Sequence, residues 1–285
     1  TSPALPLNLP WFDVDDEGRV ATILTAAPLG VAPPRDAPLA AGSVAQIDLG
    51  SGALLRSWTV PPLPPPLDHV HFWRSVAVAP DGRDVAVATQ DGREFLLRSD
   101  APGAWAPHRS LRRVAPLEVS GLPVLATSGT LAATGREALF VFGDTYIPFA
   151  ARRGEERPRS AHPAANTLYA VDWSGTFRWR WAMENFPNGI ALDRARRWAA
   201  LTFSPGASGL GGDRNGVALF DLAREGAGID RFAWEYLTAG TIPYDQFDVS
   251  ADGRWVVLVE VPYARDPTRG ARGAFRLHVL HCAAL

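Results

Sequence analysis

The chain has 285 residues, a formal net charge of −2 and 47% hydrophobic residues, an ordinary globular composition for one large domain or two small ones. A balance this close to neutrality gives no electrostatic basis for binding nucleic acid or an anionic membrane. All 28 basic residues are arginine, so no lysine can serve as Schiff-base former, phosphate-loop cation or general base, and the single cysteine, Cys282, excludes an internal disulfide.

In chain order, the first predicted element is Phe12-Asp13-Val14 running into Asp15-Asp16-Glu17-Gly18-Arg19, a short strand followed by a tight turn. Val44 to Asp48 is a second strand, leading through Gly52 to Trp58. Ser75 to Ala79 and Asp84 to Ala88 flank Pro80-Asp81-Gly82-Arg83, which reads as a β-hairpin closed by an Asp-Gly turn. Gly103-Ala104-Trp105 is a degenerate copy of the strand–glycine–tryptophan ending. Leu131 to Arg136 and Ile190 to Arg197 repeat the first phrase weakly, and Phe247 to Val259 repeats it strongly. Leu168 to Asp172 with Gly175, Trp179 and Trp181, and Val217 to Asp221 with Gly228 and Trp234, repeat the second.

The turn positions 18, 82, 135, 196 and 253 lie 53 to 64 residues apart, a period that means a solenoid, propeller or array. Two hairpins per unit make a four-stranded antiparallel sheet. Sheets of that kind bury both faces when packed radially, with the tryptophan docked between neighbours. The expectation is therefore an all-β fold: a single β-propeller over residues 1–285, of about five or six four-stranded blades. The approximate repeats are 8–66, 67–116, 117–181, 182–238 and 239–285. Fewer than four strands follow Gly253, so the N-terminal segment is expected to complete the last blade and close the ring. Residues 27–41, 61–66, 148–163 and 204–215 are predicted insertions, and long loops in a compact domain carry function more often than regular elements do.

Catalytic groups in such a ring come from strand ends at one mouth of the central channel. Asn188, in Pro187-Asn188-Gly189-Ile190, and Asp245, in Pro243-Tyr244-Asp245, hold the same phase of successive repeats. An amide oxygen and a carboxylate pointing together suit calcium or another hard divalent cation. These phrases resemble the gluconolactonase, senescence-marker-protein and regucalcin family, whose Asn-Gly and Pro-Asp-Gly stretches open inner strands. The resemblance implies metal ligation by Asn188 and Asp245, with Asn8 standing where the family has a glutamate and Thr127 where it has a substrate-binding asparagine. It implies lactone or ester hydrolysis with Asp245 as general base. Asp13, Asp15 or Glu17 could supply the missing carboxylate if the register is shifted. The same residues also read as turn and strand-start caps.

His69 and His71 share a strand face, whereas His278 and His281 point opposite ways next to Cys282; neither group has zinc-site spacing. His108, Arg109, Arg112 and Arg113 read as a solvated strand edge. No Cys-x-x-Cys-His sequence is present, which excludes covalent haem, and Gly209 to Gly212 lacks the setting of a nucleotide-binding loop. No apolar run approaches the length of a membrane-spanning helix. The start at Thr1-Ser2-Pro3 points to an exported, periplasmic or secreted protein. The reading that accounts for most of the sequence is a non-catalytic propeller binding a protein or small ligand through its loop-rich face, alone or as an accessory subunit. A metal-dependent lactonase or esterase is the alternative.

Overall fold

Among the described residues, twenty strands and one short helix build five antiparallel sheets in the computed structural model. The structure describes residues 11–25, 42–61, 75–89, 93–98, 105–111, 117–119, 122–146, 162–205, 212–243, 246–263 and 270–282. The first sheet holds β1 (Trp11–Val14), β2 (Val20–Thr25), β3 (Ser43–Asp48) and β4 (Leu54–Thr59) in sequential order. The second holds β5 (Ser75–Val78), β6 (Asp84–Ala88), β7 (Glu94–Arg98) and β8 (Ala106–Leu111). The third contains β10 (Leu122–Ala133), β11 (Glu137–Tyr146), β12 (Thr167–Asp172) and β13 (Phe177–Ala182). The short β9 (Leu117–Val119) is added beyond β10. The fourth holds β14 (Phe186–Leu192), β15 (Trp198–Ser204), β16 (Asn215–Asp221) and β17 (Phe232–Thr238), with helix α1 (Gly228–Arg231) before its last strand. The fifth has three strands among the described residues: β18 (Phe247–Val249), β19 (Trp255–Glu260) and β20 (Arg276–His281).

The innermost strands pack side by side, β1 against β5, β5 against β10, β10 against β14 and β14 against β18, which is the radial order of a β-propeller. Four apolar seams fill the spaces between consecutive blades. Leu24 and Val44 meet Val76, Val85 and Phe95 in the first. Leu96 and Leu111 meet Phe140, Tyr169 and Val171 in the second. Trp179, Leu139 and Leu168 meet Leu201, Phe203 and Phe220 in the third, and Trp198 and Leu219 meet Val256 and Leu258 in the fourth. Each such side chain removed from water contributes about 1.5–3 kcal/mol, so the seams dominate the stability of the ring.

The repeated tryptophans dock as the repeat implies. Trp58 sits edge-on to Phe95 of the next blade at 5.0 Å between ring centroids, Trp179 is buried in the third seam, and Trp234 packs into the fourth. Trp105, the degenerate copy, faces backwards into the first seam, with the Arg56 guanidinium 5.6 Å from its ring centroid.

The inner hairpin turns share one geometry. Gly18, Gly82, Arg196 and Gly253 each donate a backbone N–H to the carbonyl three residues earlier, and each has a positive φ, of 65°, 73°, 53° and 70°. Asp15 and Asp193 cap their turns from one carboxylate oxygen, which accepts two backbone N–H groups in each case. The third blade turns more tightly, with Thr134 bonded directly to Glu137 on either side of Gly135 and Arg136.

Candidate functional site

A cavity of about 430 Å³ runs along the axis, lined by β1, β5, β10 and β14. Its floor is polar, and Arg196 organises it. Three of the four turns in the left-handed conformation use glycine, whereas blade 4 uses an arginine, a choice that costs about 1–2 kcal/mol of backbone strain. That side chain lies only 12% exposed. Its Nε donates to Asp16 Oδ1 of blade 1 at 3.1 Å, and its Nη1 donates to the Val78 carbonyl of blade 2 at 3.2 Å and to the Ala133 carbonyl of blade 3. One guanidinium thus ties four blades together at the channel floor. Beside it, Asp13 accepts the Val78 N–H at 2.8 Å and the Val14 N–H at 2.9 Å. Burial pushes the Asp13 carboxyl above its ordinary value, against the pull of those bonds and of Arg196.

At the other end of the innermost strand β14, Asn188 is buried. The β14–β15 register shifts between Pro187 and Gly189, so Asn188 is the extra residue of a β-bulge, which re-aims its side chain. The amide is 5% exposed; its Nδ2 donates to the Ile242 carbonyl at 3.1 Å and its Oδ1 accepts the Ser204 hydroxyl at 3.0 Å. Asn188 therefore anchors the segment that enters blade 5. Asp245 and Asn8 lie outside the described residues. Thr127 lies on β10 opposite Gly143. Of the alternative carboxylates, Asp15 is a turn cap and Glu17 pairs with Arg19 at 2.6 Å. Among the described residues no three His, Cys, Asp or Glu side chains gather as a metal site.

The histidines have assigned places. His278 donates or accepts at both ring nitrogens, toward Tyr236 Oη at 3.2 Å and Glu260 Oε2 at 2.8 Å, and so ties β17, β19 and β20 across the fourth seam. Glu260 is fully buried and accepts the Gly240 N–H at 2.6 Å through its other oxygen. His281 lies against the Trp255 ring at 4.2 Å, and Cys282 is buried and free. Burial pushes the Cys282 thiol up, which makes it inert at neutral pH. Arg109 is exposed on β8 and His108 is on the same strand. His69, His71, Arg112 and Arg113 lie outside the described residues.

Sequence reasoning missed an exposed apolar sheet face. Residues directly paired in an antiparallel sheet share a face, and on β19 and β20 the pairs are Trp255 with His281, Val257 with Val279 and Val259 with Leu277. The opposite face, with Val256 and Leu258, packs on blade 4. The face turned away from blade 4 is uncovered by other described residues: Leu277 is 68%, Val279 57% and Trp255 42% exposed, and Phe275 just before β20 is 80% exposed. The alternation Arg276-Leu277-His278-Val279-Leu280-His281 looked like an ordinary strand because sequence shows periodicity but not which face has a neighbour.

No family model and no curated protein sequence matches this chain. Among solved structures it is similar to the Dos1 propeller (TM-score 0.50, 11% identity, covering 85% of this chain and 50% of that one). It is also similar to the β-propeller domain of Cps50 (Swd1) from Myceliophteria thermophila (TM-score 0.51, 10% identity, 97% and 73% covered). BamB from Moraxella catarrhalis matches with a TM-score of 0.42 at 12% identity, with 96% and 60% covered. The chain thus spans half the length of the Dos1 propeller chain. At these identities the likeness shows the fold alone: the protein is a β-propeller of five antiparallel sheets. These likenesses do not confirm the resemblance to the gluconolactonase family.

Proposed function

We propose that this propeller is a non-catalytic binding module that docks a protein partner on the outer face of its fifth blade. The observation that carries this is the contiguous bare apolar surface of Trp255, Val257, Leu277, Val279 and Phe275. Exposed apolar side chains scattered singly are normal, but a contiguous patch on a sheet face marks an interaction surface. The patch has the composition of an interface centre: two aromatics and three aliphatics. Asp248, opposite Val257 on β18, gives it an acidic rim on the channel side. A small ligand or a metal is not needed for this reading. The polar groups at the channel floor and Asn188 are engaged in tying the structure together. A periplasmic or extracellular location belongs to the same proposal and is checked by cell fractionation.

The test is affinity purification from the native host with the intact chain and with a Leu277→Asp, Val279→Asp double variant. Both positions are exposed, so their replacement leaves thermal stability within about 0.5 kcal/mol. Loss of a specific partner from the variant, with its folding intact, supports the reading. Retention of the same partners by the variant would end it.

A further inference from the structure

Between the outermost strand of blade 3 and the helix of blade 4 lies a cleft of about 620 Å³, walled by Phe177 to Arg180 of β13 on one side and by Glu225 to Ala227 and Arg231 on the other. That is the size of a small-molecule site. Its walls are set by the backbone. A Cβ on Gly228 would lie 2.1 Å from the Arg180 carbonyl oxygen, so only glycine lets the blade 4 segment approach β13 this closely. Gly226 turns with a φ of 105°, and Asp230 accepts the Ala227 N–H at 2.8 Å, which fixes the segment ahead of Arg231.

Arg231 is the buried cation of this cleft. It is 6% exposed, its Nη1 donates to the Leu222 carbonyl at 2.7 Å, and its Cζ lies 5.0 Å from the centroid of the Trp179 ring. Its Nε N–H is buried without an acceptor. Glu137 Oε1 is taken by the Trp179 Nε1 N–H at 3.2 Å, and among the described residues Arg231 forms no ion pair. A buried charge is normally paired, because leaving it unpaired is costly. A second cation stands nearby. The β12–β13 register shifts between Ala170 and Val171, so Arg178 is the extra residue of a β-bulge, a device that re-aims a side chain. Burial raises the Glu137 carboxyl above its ordinary value, against the Trp179 N–H and the charges of Arg231 and Arg178. Both guanidinium groups therefore lie within electrostatic reach of one buried carboxyl.

We infer that this cleft binds a small molecule carrying a phosphate monoester, with Arg231 and Arg178 as its principal anion contacts. Among the lining residues three guanidinium groups, of Arg178, Arg180 and Arg231, stand against the single carboxylate of Glu225. That surplus suits a phosphate monoester, whose charge is about −1.5 to −2 at pH 7. A phosphate oxygen supplies the acceptor that Nε lacks, and the planar guanidinium takes such oxygens in pairs. Phe177, 45% exposed in the cleft wall, offers an apolar surface to the organic part of the ligand.

The test is calorimetric titration of the intact chain with phenyl phosphate, inorganic phosphate and phenol. Phenyl phosphate binds with a Kd of about 1 mM or tighter, inorganic phosphate more weakly, and phenol, which lacks the charge, not at all. Arg178→Gln, at an exposed position, keeps the melting temperature and weakens phenyl phosphate binding about tenfold. Arg231→Lys keeps the charge without the planar fork and weakens it at least as much; if that variant fails to fold, Arg178→Gln decides. The Leu277→Asp, Val279→Asp variant binds phenyl phosphate as the wild type does, so this site and the partner face of blade 5 stand or fall separately. No binding at about 10 mM phenyl phosphate, an unchanged affinity in Arg178→Gln, or inorganic phosphate binding as tightly as the ester overturns the inference. So does binding of a phosphoserine peptide without binding of phenyl phosphate, because the occupant would then be a protein.

Discussion

Arg196 and Asp16, 180 positions apart in the chain, meet at the channel floor with Nε 3.1 Å from Oδ1. The contact joins the inner turn of blade 4 to that of blade 1, while the same guanidinium reaches carbonyls of blades 2 and 3. Backbone strain at Arg196 persists because these bonds over-determine it.

Three effects at this position separate by size. Asp16 is 37% exposed, and an exposed ion pair contributes little, about 0–1 kcal/mol. The bonds to two carbonyls at a mostly buried guanidinium contribute more, about 1.5–3 kcal/mol together. Glycine at 196 would relieve the left-handed strain by about 1 kcal/mol. Chemical denaturation should therefore rank the losses as Arg196→Ala largest, Arg196→Gly intermediate and Asp16→Ala smallest. Equal losses for Asp16→Ala and Arg196→Ala would mean that the ion pair, and not the carbonyl clasp, holds the floor.

The turn glycines give a second graded series. A Cβ on Gly18 meets nothing within 4 Å, so Gly18→Ala costs only the positive φ, about 1 kcal/mol. At Gly253 the added Cβ would lie 2.3 Å from Trp198 Cδ1 in the fourth seam, where the ring has nowhere to move. Gly253→Ala should cost about 2–4 kcal/mol, read as a midpoint shift in urea. Equal midpoints for the two variants would show that Trp198 does not pack as described.

Stability should also depend on pH through Glu260. Burial alone would raise this carboxyl, but bonds from the Gly240 N–H, His278 and the Ala274 N–H outweigh it and hold the group below its ordinary value. A carboxyl lowered in the folded state stabilises the fold above its unfolded pKa of about 4.3, and that contribution disappears as pH falls through the folded value. Melting curves of the wild type and Glu260→Gln should stay a constant distance apart from pH 7 to about 5 and converge in stronger acid. Curves that diverge on acidification would reverse the assigned sign.

Asn188 supplies a further comparison. Removing its amide leaves the Ile242 carbonyl and the Ser204 hydroxyl without their buried partner, at a cost of about 1–3 kcal/mol. The loss in Asn188→Ala should be the same with and without millimolar calcium, measured by thermal shift. A calcium-dependent rise in melting temperature present in the wild type and absent in the variant would instead favour the metal-dependent hydrolase.

Most of the architecture is legible in the sequence because it rests on local chemistry. The Asp-Gly turn at 81–82, the alternation around it and the tryptophans at 58, 179 and 234 each announce a strand, a turn or a seam. What escaped was set by events that a linear phase cannot register. One inserted residue in the β14 ladder coincides with Asn188, which is held in the Ser204–Ile242 anchor. Arg196 occupied a position read only as a turn, and its long side chain crosses the axis. The bare face of Leu277 and Val279 has the same pattern as the covered faces of other strands, since exposure depends on what packs above.

The central claim is that the outer face of blade 5 receives a partner, and site-specific photo-crosslinking in the native host tests it most directly. A photoreactive phenylalanine analogue would replace Leu277 in one strain and Ile229, an exposed residue of helix α1, in another. A discrete crosslinked protein at position 277 that is absent at position 229 is the result expected here. Crosslinks of equal pattern at the two positions, or a discrete product only at 229, would contradict it.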